Sequence, residues 1–328
     1  MNTYGRLFSV SIYGESHQSA IGTVISGMKP GILYNEALLL ADLDRRKPGA
    51  VGTTKRIEKD DPIITSGIYN GYTTGAPIHI MFTNTKTESK DYSNLLKQPR
   101  PGHADFVSLV KYQGFSDPRG GGHFSGRITA GLVAAGSFAK MLTGFNVSAK
   151  LIQAGDLEDL SKLDEYLEKI VAAGQSVGGI IEVTIKDLPI GLGEPFFDSV
   201  ESKIAQMMFS IPAVKAIEFG VGFKGISLKG SEYNDLIIDK TGKTKTNNNG
   251  GINGGITNGN DVVFRVLVKP TSSVYVPQET YHFEHGKIET QLIEGRHDAF
   301  IARRAVVVVE NACAVVLADL FLLSKTRD

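Results

Sequence analysis

Residues 13–19 of the chain read YGESHQS, which sets Glu15, Ser16 and His17 side by side just after Gly14. An acid, a hydroxyl and an imidazole in one loop suggest either nucleophilic attack by the serine or proton transfer by the histidine. The nucleophile reading asks for G-x-S-x-G, whose second glycine relieves crowding in a tight turn. Gln18 stands there instead, so a serine hydrolase built on Ser16 fits poorly. His103 and His297 lie in similar turns, and a neutral imidazole can donate or accept a proton near neutral pH. A histidine in a turn is as readily structural as catalytic, and the residues alone leave both readings open.

The arginines narrow the chemistry. Arg45 and Arg46 lie in DRRKPG, Arg100 in PRPGHAD, Arg119 and Arg127 around GGGHFSG, and Arg296 in EGRHDAF. Each sits beside glycine or proline, at a turn or a helix end. Surface solubilisation would scatter such residues and would accept lysine. Planar forks held at rigid turns suit carboxylate or phosphate recognition. The chain carries 35 Lys+Arg and 35 Asp+Glu, so its formal net charge is zero. A local cationic pocket in a neutral protein points to a small, strongly acidic ligand and away from nucleic acid.

Other motifs fit less well. GVGFKG, residues 220–225, matches the dinucleotide fingerprint G-x-G-x-x-G, but that fingerprint must open a helix and ISLKGSEYND reads as strand and turn. His282 and His285 in YHFEHG would face opposite sides of a strand, so no metal site is expected. The single cysteine, Cys313, excludes an intrachain disulfide and lies in an apolar run suited to buried packing. The N-terminus has no signal-peptide pattern. The apolar stretch AVVVVENACAVVLADLFLL is interrupted by Glu310, Asn311 and Asp319, which favours a buried helix over a membrane span. A cytoplasmic protein is expected, with no membrane partner.

These residues must be positioned by a fold of 328 residues, 41% of them hydrophobic and 21% charged, an ordinary globular profile. Strands are expected at 5–12 and 20–28, then a helix capped by Asn35 that stops before Pro48-Gly49. Residues 50–102 read as short strands and turns. Helices are expected after Gly102, in TAGLVAAGSFAKML with Gly144 as its cap, at 159–173 and at 198–209. Strands are expected at 147–153, 179–186, 215–219, 223–229 and 262–268. Helices and strands mix without strict alternation, which favours α+β with antiparallel sheets, as one domain over residues 1–328. The segment DKTGKTKTNNNGGINGGITNGND, residues 239–261, reads either as a flexible loop or as a lid over a ligand.

Taken in order, the motifs resemble one family, chorismate synthase, over nearly the whole chain. GESHQSAIGTVISGMKPG resembles its first signature; DLDRRKPG, SKDYS and RPGHAD follow; RGGGHFSGR resembles its second. GGINGGITNGNDVVFRVLVKPTSS and GRHD complete the set. The resemblance implies a single-domain β-α-β sandwich, with helices between antiparallel sheets, assembled as a homotetramer. It implies a 1,4-anti elimination of phosphate from 5-enolpyruvylshikimate 3-phosphate, requiring reduced FMN without net redox change. NADPH is then a candidate indirect reductant.

By the same resemblance, His17 protonates the departing phosphate and His103 serves the reduced flavin. Asp298, with Ser16, relays a proton. Arg46, Arg100 and Arg127, assisted by Arg45, bind the substrate, and Ser125 sits between substrate and flavin. Gly254, Lys269, Pro270, Thr271, Ser272 and Ser273 hold the FMN with Ala213 and Arg296, and His123 and Phe124 contact it. The 239–261 segment becomes part of the flavin wall. The sequence departs from the family pattern at Gln18, Gly52, His123, Ile128 and Pro212. The rival class is an FMN-binding protein without this activity, which would need neither His17 nor the arginine set.

Overall fold

Alternating burial builds the first sheet. The chain begins with β1 (Thr3–Tyr4), β2 (Ser9–Gly14) and β3 (Ala20–Ser26), passes through helix α1 (Glu36–Arg46), and returns in β4 (Ile63–Ser66), the ribbon β5 (Ile68–Tyr69) and β6 (Tyr72–Thr73), and β7 (Ile78–Thr83). The computed structural model describes residues 2–54, 60–84, 96–293, 295 and 297–326. Strand order is β1-β2-β3-β7-β4, and every pair is antiparallel. Ile21 opposes Phe82, Thr23 opposes Ile80 and Ile25 opposes Ile78. All six are fully buried, as a period of two requires when one face is covered.

The second sheet follows a helical stretch. α2 (Asp105–Lys111) and α3 (Thr129–Thr143) lead to β8 (Asn146–Ala154), α4 (Leu163–Ala172), β9 (Gly179–Lys186), α5 (Val200–Ser210), β10 (Val214–Phe219) and the short α6 (Gly230–Tyr233). A ribbon of β11 (Ile252–Asn253) and β12 (Ile256–Thr257), then β13 (Val262–Val268), the hairpin β14 (Gln278–His282) and β15 (Lys287–Gln291), and α7 (Ala302–Ser324) complete the described elements. The sheet order is β10-β13-β9-β8, again antiparallel throughout. Ile181, Val183 and Ile185 of β9 oppose Val266, Phe264 and Val262 of β13, and all face the core.

Helices fill the space between the sheets. α3 lies on β2 and β3, α7 lies on β8 and β9, and α3 packs against α7, with α1 touching both. This is a sheet–helix–sheet sandwich, as the α+β reading expects. α3 and α7 approach closely because position 136 is glycine. A Cβ there would lie 2.3 Å from Asn311 Cβ and 2.4 Å from its carbonyl oxygen. α7 is long and apolar enough to cross a membrane by length and composition, yet most of it is enclosed by protein. Two of its three polar interruptions are staples to other elements. Glu310 accepts from Arg45, Lys140 and the Ala149 amide. Asn311 donates back to Val307 O. Asp319 Oδ1 accepts the consecutive amides of Arg6, Leu7 and Phe8 at 2.7–3.0 Å. Cys313 is fully buried, and that burial pushes its thiol well above the ordinary range.

The helix termini follow the expected chemistry. Asn35 Oδ1 accepts the Leu38 amide at 3.0 Å and starts α1. Gly144 adopts φ +68° and ends α3. The expectation of a strand at 223–229 is corrected: residues 222–227 form a 3₁₀ turn. Gly220 and Gly222 take positive φ and turn the chain off the end of β10, and Glu218 accepts the Phe223 amide inside that turn. The same carboxylate would collide with a Cβ at Gly222, so GVGFKG presents an acid where a dinucleotide phosphate would need to sit.

Candidate active site

Three loops converge at one end of the helical layer. The Gly14 loop lies against the glycine-rich turn 119–124, where Gly120, Gly121 and Gly122 take φ of 58°, 80° and 53°. Ser16 N donates to Gly122 O at 3.1 Å, and His123 Nδ1 donates to Gly14 O at 2.8 Å. Gln18 donates to Asp117 Oδ2 at 3.0 Å, so the residue departing from the family pattern ties the two loops together. Arg119 bonds the same Asp117 and holds its carboxyl down at about 2. Only glycine fits at 120: a Cβ there would lie 2.2 Å from His17 Cε1 and 2.8 Å from Ser16 Oγ. The turn therefore lies directly over the buried His17.

Beside these loops opens a cavity of about 200 Å³. Among the described residues its wall carries four guanidiniums, Arg46, Arg100, Arg127 and Arg304, against two carboxylates, Asp60 and Asp298. Ser16 and Ser125 also line it. Arg46 reaches it from the C-terminus of α1, and Arg127 from the 3₁₀ turn 126–128 that leads into α3. Asp60 lies between these two and accepts from both. Burial opposes its ionisation, but the two guanidiniums outweigh burial and hold its carboxyl below the ordinary range. Asp298 accepts the Thr54 amide at 2.8 Å and Arg304 Nη1 at 3.1 Å, while Arg304 Nε donates to Arg46 O at 2.9 Å.

Arg100 links this cavity to a smaller hollow. Its Nε and Nη2 bond the two oxygens of Asp105, and its Nη1 donates to Ser273 Oγ at 3.2 Å. Asp105 is buried, yet bonds from Arg100 and His103 overcome that burial and keep it ionised well below the usual carboxylate range. An ionised carboxylate only accepts, so His103 donates Nδ1–H to it at 2.6 Å. His103 Nε2 then lies toward Gly121. His103 and Phe124 line this second hollow.

The 269–273 run docks on the same corner. Lys269 Nζ and Ser272 Oγ both donate to Gly102 O, at 2.7 and 2.8 Å. The Lys269 amide donates to Ala213 O, and Ala213 itself holds φ +72° beside the cavity-lining Ile211 and Pro212. Thr271 O accepts from Ser176, while Thr271 Oγ1 is buried without a partner among the described residues.

Ser16, Arg46, Arg100, Ser125, Arg127 and Asp298 thus share one cavity wall, with His17, His103, Ala213 and residues 269–273 around it. Arg45 and Gly254 do not join them. Arg45 turns away and makes two bonds to Glu310. Gly254 lies at the tip of the β11–β12 ribbon, where Gly255 O accepts the Val200 amide at the start of α5. None of residues 239–261 lines the cavity. The segment folds on itself, with Asp235 accepting the Asn248 and Asn249 amides and the Thr246 hydroxyl. Arg296 and SKDYS lie outside the described residues. Asp60 and Arg304 are cavity residues that the sequence reading missed, since neither belongs to a recognisable motif.

The His282–His285 expectation needs correction. β14 ends at His282 and the chain turns, so the two rings stack at 3.8 Å instead of facing apart, with Glu284 nearby. His282 Nδ1 accepts the His285 amide, which leaves its ring proton on Nε2, the nitrogen an ion would need.

The fold and site together define a mixed α+β protein with a cationic cavity at one end of its helical layer. The chorismate synthase family model matches residues 8–322. The chorismate synthase of Chitinophaga pinensis is 54% identical over 325 residues, covering 99% of this chain and 98% of that protein. That of Pyrococcus abyssi is 43% identical over 349 residues, with 98% of each chain covered. A solved chorismate synthase crystal structure matches with a TM-score of 0.75 at 25% identity, over 98% of this chain and 93% of that one. The chain belongs to the chorismate synthase family.

Proposed function

We propose that this protein is a carbon–oxygen lyase that eliminates phosphate from 5-enolpyruvylshikimate 3-phosphate to give chorismate, with reduced FMN bound beside the substrate. The observation that carries the reading is the cavity wall of four guanidiniums against two carboxylates. The substrate brings two carboxylates and a phosphate, and an uncompensated cavity would repel none of them. Hydrogen bonds from charged donors contribute roughly 1.5–3 kcal/mol each, and exclusion of water strengthens them.

The residues present also fit the flavin. Lys269 bonds only neutral oxygens, so its charge meets no carboxylate among the described residues and suits a phosphate. Thr271 Oγ1 offers an unused donor two residues on. When bound, reduced flavin supplies electron density to the breaking C–O bond with no net oxidation. Arg46, Arg100 and Arg127 bind the substrate's anionic groups. His17 delivers a proton to the departing phosphate. His103, oriented by Asp105, serves the flavin edge. Asp298, held by Arg304 and sharing the cavity with Ser16, accepts the proton that the substrate loses.

The reading includes a homotetramer in the cytoplasm. Phe196, Phe197, Phe223 and Ile226 are 83%, 92%, 78% and 95% exposed, side chains that a neighbouring subunit would cover. Gly254 lies on this side of α5 and would reach a flavin site through a neighbouring copy. NADPH is proposed as an indirect source of reducing equivalents. The deciding experiment is phosphate release from 5-enolpyruvylshikimate 3-phosphate under anaerobic conditions with chemically reduced FMN. Release is expected; its absence from folded, FMN-binding protein would favour the rival flavin-binding class.

A further inference from the structure

Asp60 occupies the centre of the cationic wall, though nothing in its sequence surroundings marks it. Its side chain is 1% exposed, the least accessible of the charged groups there. Oδ2 accepts from Arg46 Nη2 and Oδ1 from Arg127 Nη1. Those arginines come from separate elements, α1 and the turn before α3, and a single carboxylate joins them. Each guanidinium gives only one terminal nitrogen to the joint. Arg127 Nε is fixed separately by Asn84 Oδ1 at 3.1 Å. Arg46 Nε is buried with no hydrogen-bond partner among the described residues, although Arg46 lines the cavity.

The geometry points to Asp60 as a positioning residue, which holds the Arg46 and Arg127 guanidiniums side by side as a receptor for one anionic group of the substrate. The inference rests on the cavity being the substrate site. Two guanidiniums lining one cavity repel each other, and each carries several freely rotating torsions. A carboxylate bridging them cancels the repulsion and fixes both arms, so less entropy is lost when the ligand arrives. The unpartnered Arg46 Nε is the kind of buried donor that a ligand oxygen satisfies. The opposite role would have Asp60 occupying the ligand's own seat and withdrawing on binding. Its near-complete burial argues against that, since an exchangeable seat must be open before the ligand arrives.

The two roles predict opposite signs for Asp60→Asn, which keeps shape and volume but removes the charge. Positioning predicts that KM for 5-enolpyruvylshikimate 3-phosphate rises at least tenfold while kcat stays within threefold, with Asp60→Glu recovering part of the loss. An unchanged or lowered KM, or a loss confined to kcat, would overturn the inference. Flavin fluorescence quenching and thermal unfolding report whether each variant is folded. Should Asp60→Asn fail to fold, Asp60→Glu decides. It retains the charge but displaces both forks, so KM rises at least threefold, and a wild-type KM rejects the role. If the unmodified protein releases no phosphate, the functional reading falls by itself. The positioning role is then read by calorimetry with inorganic phosphate, where at least tenfold weaker binding to Asp60→Asn supports it and equal or tighter binding rejects it.

Discussion

Arg45 and Arg46 are neighbours in the chain and opposite in their surroundings. Arg45 belongs to a closed group of four charges within the helical layer: Arg45 and Lys140 against Asp42 and Glu310, with every charge answered by another. Glu310 and Asp42 are almost fully covered, and burial of Glu310 is outweighed by bonds from Arg45 and Lys140 that hold it ionised. Arg46 belongs to the cavity wall, where cations outnumber carboxylates among the described residues. A balanced group joins helices. Under the proposed function, an unbalanced one receives a ligand. The comparison teaches that helical phase, one residue along α1, decides which of two like side chains joins the helices and which faces the cavity.

That contrast can be broken from either side. The largest effect is expected from His17→Ala, which should cut phosphate release by about 10²–10⁴-fold, the usual worth of a general acid, with little change in thermal unfolding. Glu310→Gln attacks the balanced group. It leaves Arg45 and Lys140 under-compensated and should cost about 3–5 kcal/mol in denaturant unfolding, with KM unaltered. Arg46→Lys keeps the charge but loses the planar fork, so kcat/KM should fall by about 10–100-fold at nearly constant stability. Arg45→Met should do the reverse and more mildly. Its arm is 44% exposed, so up to about 1 kcal/mol of stability is lost while kcat/KM stays within threefold. Equal kinetic losses in the two arginine variants would erase the distinction.

Acid treatment sharpens the same comparison with the smallest effect. Asp60, Asp105 and Glu310 are buried but held down by their cationic partners, and Asp117 is held down by Arg119. Carboxyls depressed in the folded state contribute stability that is fully present above their unfolded pKa of about 4 and is lost as pH falls through the folded values. The unfolding midpoint should therefore be flat from about pH 7 to 5 and decline below about pH 4. A midpoint that stays level down to about pH 3 would mean these pairs contribute little.

Much of the scaffold was legible because it depends on near neighbours. Asn35 announces α1, Gly144 ends α3, and the alternation at 179–186 and 262–268 marks two central strands. What failed depends on distant partners. Residues 223–229 have strand-like composition, but Glu218 takes the Phe223 amide and the chain winds into a 3₁₀ turn. The Asn- and Gly-rich segment reads as loose chain until Asp235 supplies the acceptor that orders it. In the site, the arginines and His17 stood out by their Gly and Pro settings. Asp60 sits in an ordinary charged run, and Arg304 opens an apolar helix, so their roles emerge only when α1, α7 and the 126–128 turn meet.

The middle layer of the sandwich has a consequence for synthesis. Every strand that α7 covers is translated before it, so a ribosome delivers both sheets before the helix that separates them. Until residue 302 emerges, the inner face of β8 and β9 has lost its main cover, and Asp319 is not there to receive the amides of residues 6–8. The nascent chain is therefore most adhesive just before α7 emerges, and chaperone demand should peak there, not at the early hairpins.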